Sequence, residues 1–365
     1  FAGSAHAFET KARNAILMDY ETGAYLFTKN HQEMIAPASM SKLMTVYVLF
    51  SKLKDGTLSL EDVFSVSENA WRTGGAASGS STMFLPIGRK GTGENLIKGI
   101  IIQSGNDACI VAAENIAGSE EDFAELMNAK AKELGLKNSH FVNSTGLPHP
   151  DHRMSAEDLA RLAQALIRDF PEYYSVFSQK SFTYNNILQG NRNPLLYSMP
   201  DADGLKTGHT AEAGFCLTAS VKRGDRRLIG VMTGLKSNKE RSEEAEKLMN
   251  WGFREFNNYK VFKQFQRIVS VPVYMGEEKS IDLAVDEDVI MTIARSKARD
   301  VKLTAVYEKP VKAPVAQGDK LGEVKIEIPG GEVKTVPLYA DHSIRKLGFW
   351  GRILSNVKYL LFGAE

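Results

Sequence analysis

Disulfides cannot hold this chain together: its 365 residues include only two cysteines, Cys109 and Cys216, and the apolar neighbours of each suit a small core residue better than a bridge. No apolar run approaches the roughly 18 residues that a membrane-spanning helix needs. An excess of charge of one sign is missing too. The 45 Lys and Arg residues face 44 Asp and Glu, and a formal charge of +1 argues against a general nucleic-acid binder. There is no low-complexity tract and no internal repeat. Metal-ligand spacing is also lacking: His140, His149, Asp151 and His152 crowd one segment but match no ligand motif, and a polar loop accounts for them. What is present is an ordinary globular composition, 43% hydrophobic and 24% charged, in a chain long enough for two domains.

The stretch that organises the rest is Ser39-Met40-Ser41-Lys42. The run 43–50 that follows it is apolar on nearly every face, which predicts a buried helix with Ser39 in its first turn and Lys42 one turn on, on the same side. A serine hydroxyl is a weak nucleophile until a base takes its proton. An amine desolvated by an apolar wall has a lowered pKa and can be that base, and the helix N-terminus offers free N–H groups to an oxyanion. Ser-x-x-Lys by itself says little. Ser51-Lys54, Ser343-Lys346 and Ser355-Lys358 match it as well, and helix capping or a solvated face explains such pairs. Ser39 is set apart by its buried helix.

Around it, 15–27 reads as a β-hairpin, with Glu21-Thr22-Gly23 at the turn. The Ser39 helix should end near Asp55-Gly56. The Gly- and Ser-rich stretch 71–93 reads as a long loop; its place between two candidate catalytic segments suggests an active-site rim, a disordered surface loop being the alternative. A second buried helix over 96–102 stops at Gln103-Ser104-Gly105-Asn106-Asp107, where Asn106 or Asp107 would cap a helix over 108–117. Such a loop can fix a hydroxyl and an amide, although capping alone explains the Asn, and Ser67-Glu68-Asn69 repeats the pattern. Helices are expected over 122–134, 156–167 and 242–256. Lys206-Thr207-Gly208 occurs once, ahead of strands that include 227–233; lysine, hydroxyl and close-approach glycine at a sheet edge could hold a carboxylate.

Past residue 260 the chain changes to short strands, 268–274, 281–285, 289–294, 301–307 and 323–328, at sandwich-like spacing. The tail 343–365 repeats Leu347, Trp350, Ile353, Leu354, Val357 and Leu361 at helical spacing beside Arg345, Lys346, Arg352 and Lys358. At the other end Ser4-Ala5-His6-Ala7 has the Ala-x-Ala pattern that precedes a signal-peptidase cut, with Phe8 as the first mature residue. The domains expected are therefore 1–7 as a residual signal segment, 8–260 catalytic, 261–341 all-β, and 342–365 an amphipathic membrane-associating helix.

Ser39-x-x-Lys42, Ser104-x-Asn106 and Lys206-Thr207-Gly208 stand in the order of the three-part signature of the penicillin-recognising serine enzymes. Ala36-Pro37-Ala38-Ser39-Met40-Ser41-Lys42, Ser104-Gly105-Asn106-Asp107-Ala108 and the segment from Asp203 to Thr210 resemble the low-molecular-weight D-alanyl-D-alanine carboxypeptidases, as do the trailing β-domain and tail. The resemblance covers essentially the whole chain. It implies an α/β (α+β) transpeptidase/β-lactamase-like domain, an antiparallel sheet flanked by helices, then a small β-sandwich and a C-terminal amphipathic helix. It implies removal of the terminal D-alanine from peptidoglycan pentapeptide stems through an acyl-enzyme, acylation by β-lactams, and no cofactor or metal. In these terms Ser39 is the nucleophile, Lys42 its base, Ser104 a proton relay and Asn106 a holder of the substrate amide. Lys206, Thr207 and Gly208 meet the D-alanine carboxylate, the backbone N–H groups of Ser39 and His209 form the oxyanion hole, and Arg192 and Arg241 lie near the site. The expected location is the periplasmic face of the cytoplasmic membrane, after export, with the tail on the bilayer surface.

A class A β-lactamase shares the three motifs but needs a carboxylate in a Glu-x-x-Leu-Asn segment to activate water. The chain reads Phe141-Val142-Asn143-Ser144-Thr145-Gly146 in that region instead. A penicillin-sensing module would need a membrane-spanning signalling segment, and a DD-endopeptidase stays open on sequence.

Overall fold

The computed structural model describes residues 8–331, 333–351 and 353. It separates into two units, residues 1–254 and 255–365. In the first, β1 (Asn14–Asp19) and β2 (Tyr25–Lys29) form the expected hairpin. The helix α1 (Lys42–Lys54) follows, then a small hairpin of β3 (Val63–Ser65) and β4 (Lys90–Thr92). Four helices come next: α2 (Gly93–Lys98), α3 (Asn106–Ala117), α4 (Glu120–Glu133) and α5 (Ala156–Asp169). A hairpin of β5 (Ser181–Tyr184) and β6 (Ile187–Gly190) and the single turn α6 (Leu195–Ser198) lead to β7 (Ala202–Thr210), β8 (Gly214–Arg223) and β9 (Arg226–Leu235). The helix α7 (Asn238–Glu255) closes the unit.

The central sheet is antiparallel throughout, in the order β2-β1-β9-β8-β7. Successive strand residues point to opposite faces, and every residue of β1 is buried, so both faces must be covered. Ile16 and Met18 pack in one core with α1, α3 and α5; Ala15 and Leu17 pack in another with Leu248 and Met249 of α7. The result is three layers, helix, sheet and helix.

Helix α1 lies at the centre of the larger core. All its residues from Lys42 to Phe50 are buried, as the all-round apolar pattern predicts. Truncating Phe50, 1% exposed, to alanine should cost about 3–5 kcal/mol. The helix begins at Lys42; Ser39 sits just before it, in a 3-10 turn over Ala38–Ser41.

In the second unit, β11 (Arg267–Tyr274), β12 (Ser280–Ala284), β14 (Lys302–Tyr307), β15 (Val311–Lys312), β16 (Lys320–Glu327) and β17 (Val333–Ala340) make a sheet ordered β14-β16-β17-β12-β11-β15. A pair formed by β10 (Phe256–Phe262) and β13 (Val289–Ala294) shares its core, with Phe262 and Val289 packed among Val271, Leu283, Ile326 and Leu338. The division falls at 254/255, not at 260/261, because β10 pairs with β13 and belongs to the β-unit. Its polar Asn257, Asn258 and Lys260 hide the strand in the sequence. Pro337 does the same for β17, since proline argues against a paired strand.

The tail departs from its expected form at its start. Ile344 bridges Val315 and Lys346 bridges Gly276, so 343–346 is extended chain paired to the β-unit. Helical residues begin at Phe349. Most of the expected amphipathic stretch, from Leu354 on, lies outside the described residues, as does the Ala-x-Ala segment. No helix among the described residues is long and apolar enough to cross a membrane.

Candidate active site

In a 3-10 helix residues i and i+3 eclipse, and the turn over Ala38–Ser41 therefore stands Lys42 over Ser39. Lys42 Nζ is 3.0 Å from Ser39 Oγ. It also donates to Asn106 Oδ1 at 2.7 Å and to the Thr145 carbonyl at 2.5 Å. Lys42 is wholly buried, and that desolvation pushes its pKa below the usual lysine range. Lowering the pKa favours the neutral amine, which has two N–H groups and one lone pair. The two carbonyl-type oxygens take the N–H groups, which leaves the lone pair for Ser39.

Ser104 ends the π-helical turn Gly99–Gln103 with φ 64° and ψ 32°, a left-handed conformation that costs a non-glycine residue about 1 kcal/mol. Its Oγ accepts from Lys206 Nζ at 2.9 Å. Lys206 is also buried, and its pKa is held well below the usual value, first by desolvation and then by the charge of Lys42. Neither Asn106 nor Asp107 caps α3, whose N-cap is Gly105; both lie in its first turn. The Asn106 side chain turns to Lys42. That of Asp107 accepts from Thr82 Oγ1, Met83 N and Leu85 N at 2.6–3.0 Å. With the Asn106 N–H donating to Ser81 O at 2.7 Å, these bonds pin the second half of the Gly- and Ser-rich segment beside Ser104 and Asn106. That places the segment where the rim reading puts it, although Ala70–Gly74 and Ala76–Ser78 are short helical turns rather than loop.

Lys206, Thr207 and Gly208 lie in β7, the edge strand of the sheet. A Cβ at Gly208 would come within 3.1 Å of Ala38 Cβ and Pro37 O, so this glycine lets β7 pack directly on the segment that carries Ser39. Thr207 is 5% exposed. His209 is exposed and its ring lies 4.1 Å from that of Phe215. Arg241, on α7, donates to the carbonyls of Gly208 and Cys216 and to Asn238 Oδ1; burial lowers its pKa to about 10. Arg192 donates to Ser81 Oγ at 2.5 Å. Arg192 and Arg241 line one cleft of about 710 Å³ together with Phe215 and Tyr197. Among the described residues no carboxylate pairs with Lys206, Arg192 or Arg241. Such a cluster of partly desolvated cations suits an anionic ligand.

The structure thus joins Ser39, Lys42 and Asn106 in one hydrogen-bonded group and Ser104 with Lys206 in another; Thr207, Gly208 and His209 follow Lys206 along β7, and Arg192 and Arg241 share a separate cleft. Sequence reading missed two groups. The Thr145 carbonyl holds Lys42, and its signal, the Asn143 turn in which Asn143 Oδ1 accepts from Thr145 N and Gly146 N, was legible only as a loop. Asp107 was read as a helix cap. The histidines have plain roles: His140 bonds the Asp151 carbonyl and His152 Nδ1 accepts from Val142 N. Both cysteines are free and buried.

A serine under a buried amine, a second Ser–Lys pair and an edge strand packed on the segment that carries the serine make this an acyl-transfer site of the penicillin-recognising serine class. Residues 2–237 match the model for the D-alanyl-D-alanine carboxypeptidase peptidase family, and residues 256–346 match that for the penicillin-binding protein 5 C-terminal domain. The chain belongs to the D-alanyl-D-alanine carboxypeptidase family. It is 41% identical over 345 residues to D-alanyl-D-alanine carboxypeptidase DacC of Escherichia coli, covering 94% of this chain and 86% of that one. It is 36% identical to DacF of Bacillus subtilis over 349 residues, 93% of this chain and 87% of that one. Penicillin binding protein 5 from Haemophilus influenzae superposes with a TM-score of 0.83 at 36% identity, covering 93% of this chain and 99% of that one. The chain is a serine-type D-Ala-D-Ala carboxypeptidase acting on peptidoglycan stems and acylated by β-lactams.

Proposed function

We propose that Ser39 carries the acyl group and that Lys42 is its base. The observation behind this is the Lys42 amine, buried, 3.0 Å from Ser39 Oγ, with its other hydrogen-bonding capacity taken by Asn106 and Thr145. Lys42 takes the Ser39 proton as Oγ adds to the carbonyl of the penultimate D-alanine. The Ser39 and His209 backbone N–H groups receive the oxyanion, each such donor being worth about 3–4 kcal/mol of barrier. The Ser104–Lys206 pair passes a proton to the amine of the departing D-alanine as the C–N bond breaks. Asn106, with Oδ1 on Lys42, offers its NH2 to the substrate amide carbonyl. Thr207, Lys206, Arg241 and Arg192 meet the terminal carboxylate. Water then hydrolyses the ester on Ser39. With a β-lactam the same attack opens the ring amide, but the amine stays attached to the acyl group.

Peptide mapping of the penicillin adduct should find the label on Ser39. A label on Ser51 or Ser104 would overturn the assignment, and so would full acylation in a folded Lys42→Ala variant.

Export to the periplasmic face of the membrane, with the tail on the bilayer, is the location that this substrate implies. Phe349, Trp350 and Ile353 are 63, 80 and 45% exposed at the start of the tail, which supports an apolar surface free to enter a headgroup layer. Because 343–347 pairs with the β-unit, the informative truncation follows Leu347. Loss of binding to anionic vesicles with D-alanine release intact is the expected result; unchanged pelleting would sink this reading.

A further inference from the structure

The Thr145 carbonyl that holds Lys42 belongs to a short loop, and that loop has an anchor on its other side. Ser144 and Thr145 present successive carbonyls to α1: Ser144 O accepts from Thr45 Oγ1 at 2.7 Å and Thr145 O from Lys42 Nζ at 2.5 Å. Lys42 and Thr45 are three apart on the helix and share a face. Gly146, at φ +76°, fits because a Cβ there would lie 2.1 Å from Ala38 O. Ser144 itself is fully buried, and both its N–H and its Oγ–H donate to one atom, Glu120 Oε1, at 3.1 and 2.5 Å. Glu120 is the first residue of α4.

We propose that Glu120 is a positioning residue for acylation: its carboxylate holds Ser144, and so the Thr145 carbonyl, against α1, and thereby aims the Lys42 lone pair at Ser39. The proposal rests on Lys42 being the base. Glu120 is also one of the charges that bear on Lys42. The other charges come from Asp107 on α3, Arg192, and Lys206 on β7, while the buried Cys109 thiol and His152 ring face it as neutral groups. Glu120 and Asp107 favour the protonated amine and Arg192 opposes it.

Penicillin acylation rates of the full chain are measured from pH 5 to 10 for Glu120→Ala, Glu120→Gln and Ser144→Ala, with thermal unfolding and the fraction labelled at saturation as controls. Glu120→Ala removes anchor and charge together and should slow acylation at least tenfold. In Glu120→Gln the amide oxygen can still accept from Ser144, so the rate should return to within about threefold of the parent. With the negative charge gone, the acid limb of its pH profile should move to lower pH. Ser144→Ala keeps the N–H bond and should fall between the two. Parent rates in a folded Glu120→Ala, or a Gln variant as slow as the Ala variant, would overturn the proposal. If Glu120→Ala does not fold, a parent rate in Ser144→Ala together with an unmoved acid limb in Glu120→Gln overturns it. Lys42→Ala run in parallel separates the two failures: acylation surviving there refutes the base itself, not the anchor alone.

Discussion

Lys42 is buried completely where it meets Ser39, and that loss of water is what fits it for the role of base proposed above. Desolvation disfavours the charged amine, so its proton leaves below the usual lysine range. Acylation should therefore fall as pH drops through this lowered pKa, and a pH series of β-lactam acylation rates should place the acid limb below the ordinary lysine value of 10.5. A limb at the ordinary lysine value would mean that Lys42 is not the group titrating. Arg241 is held by the Gly208 and Cys216 carbonyls and meets no carboxylate among the described residues. Replacing it with Gln should raise KM for a D-Ala-D-Ala peptide roughly tenfold or more, since a hydrogen bond to a charged group is worth about 1.5–3 kcal/mol. The preference over the same peptide with an amidated C-terminus should shrink in parallel. A preference left intact would place the carboxylate elsewhere.

At the scale of elements, one buried group holds a loop to a helix and another joins two stretches of the loop between α4 and α5. Asp107 takes three hydrogen bonds from Thr82, Met83 and Leu85. Asp107→Ala would leave two buried N–H groups unpaired, a loss of about 3 kcal/mol, and amide exchange should rise first over 82–85. His152, 2% exposed, is kept neutral by burial, with its pKa pushed down to about 4 from 6.5. Between those values the unfolded chain binds a proton that the native state refuses. Stability is thus full above pH 6.5 and is lost as pH falls toward 4, by about 3 kcal/mol in all. Urea unfolding at pH 7 and 4.5 should show this drop, and His152→Gln, which can still accept from Val142 N, should show a smaller one. Equal slopes in the two proteins would remove His152 as the cause.

For the whole molecule, every candidate site residue comes from the first unit. A Streptomyces DD-transpeptidase, 27% identical with a TM-score of 0.63, is covered over 98% of its length by 68% of this chain, so a relative exists at close to the length of the first unit. Residues 8–254 expressed alone should therefore acylate with penicillin at nearly the full-length rate, as followed by intact mass. A folded fragment that fails to acylate would show that the β-unit contributes to the chemistry.

Local rules made much of this legible in the sequence: the buried helix after Ser39, the β1–β2 hairpin, most strands of the β-unit, and three motifs whose order limits what they can be. Period and motif depend on near neighbours, and near neighbours are what a sequence displays. Tertiary structure decided the rest. It set Ser39 in a 3-10 turn ahead of the helix, and it turned Asn106 and Asp107 from expected caps into a lysine acceptor and a loop anchor. It also made the Thr145 backbone carbonyl part of the site, a group identical in every residue and so invisible to side-chain reading. Most of all, it removed water from Lys42 and Lys206, through walls supplied by segments far apart in the chain. The spacing of Ser-x-x-Lys names an amine beside a hydroxyl; only the packed protein takes away the solvent that would keep that amine protonated.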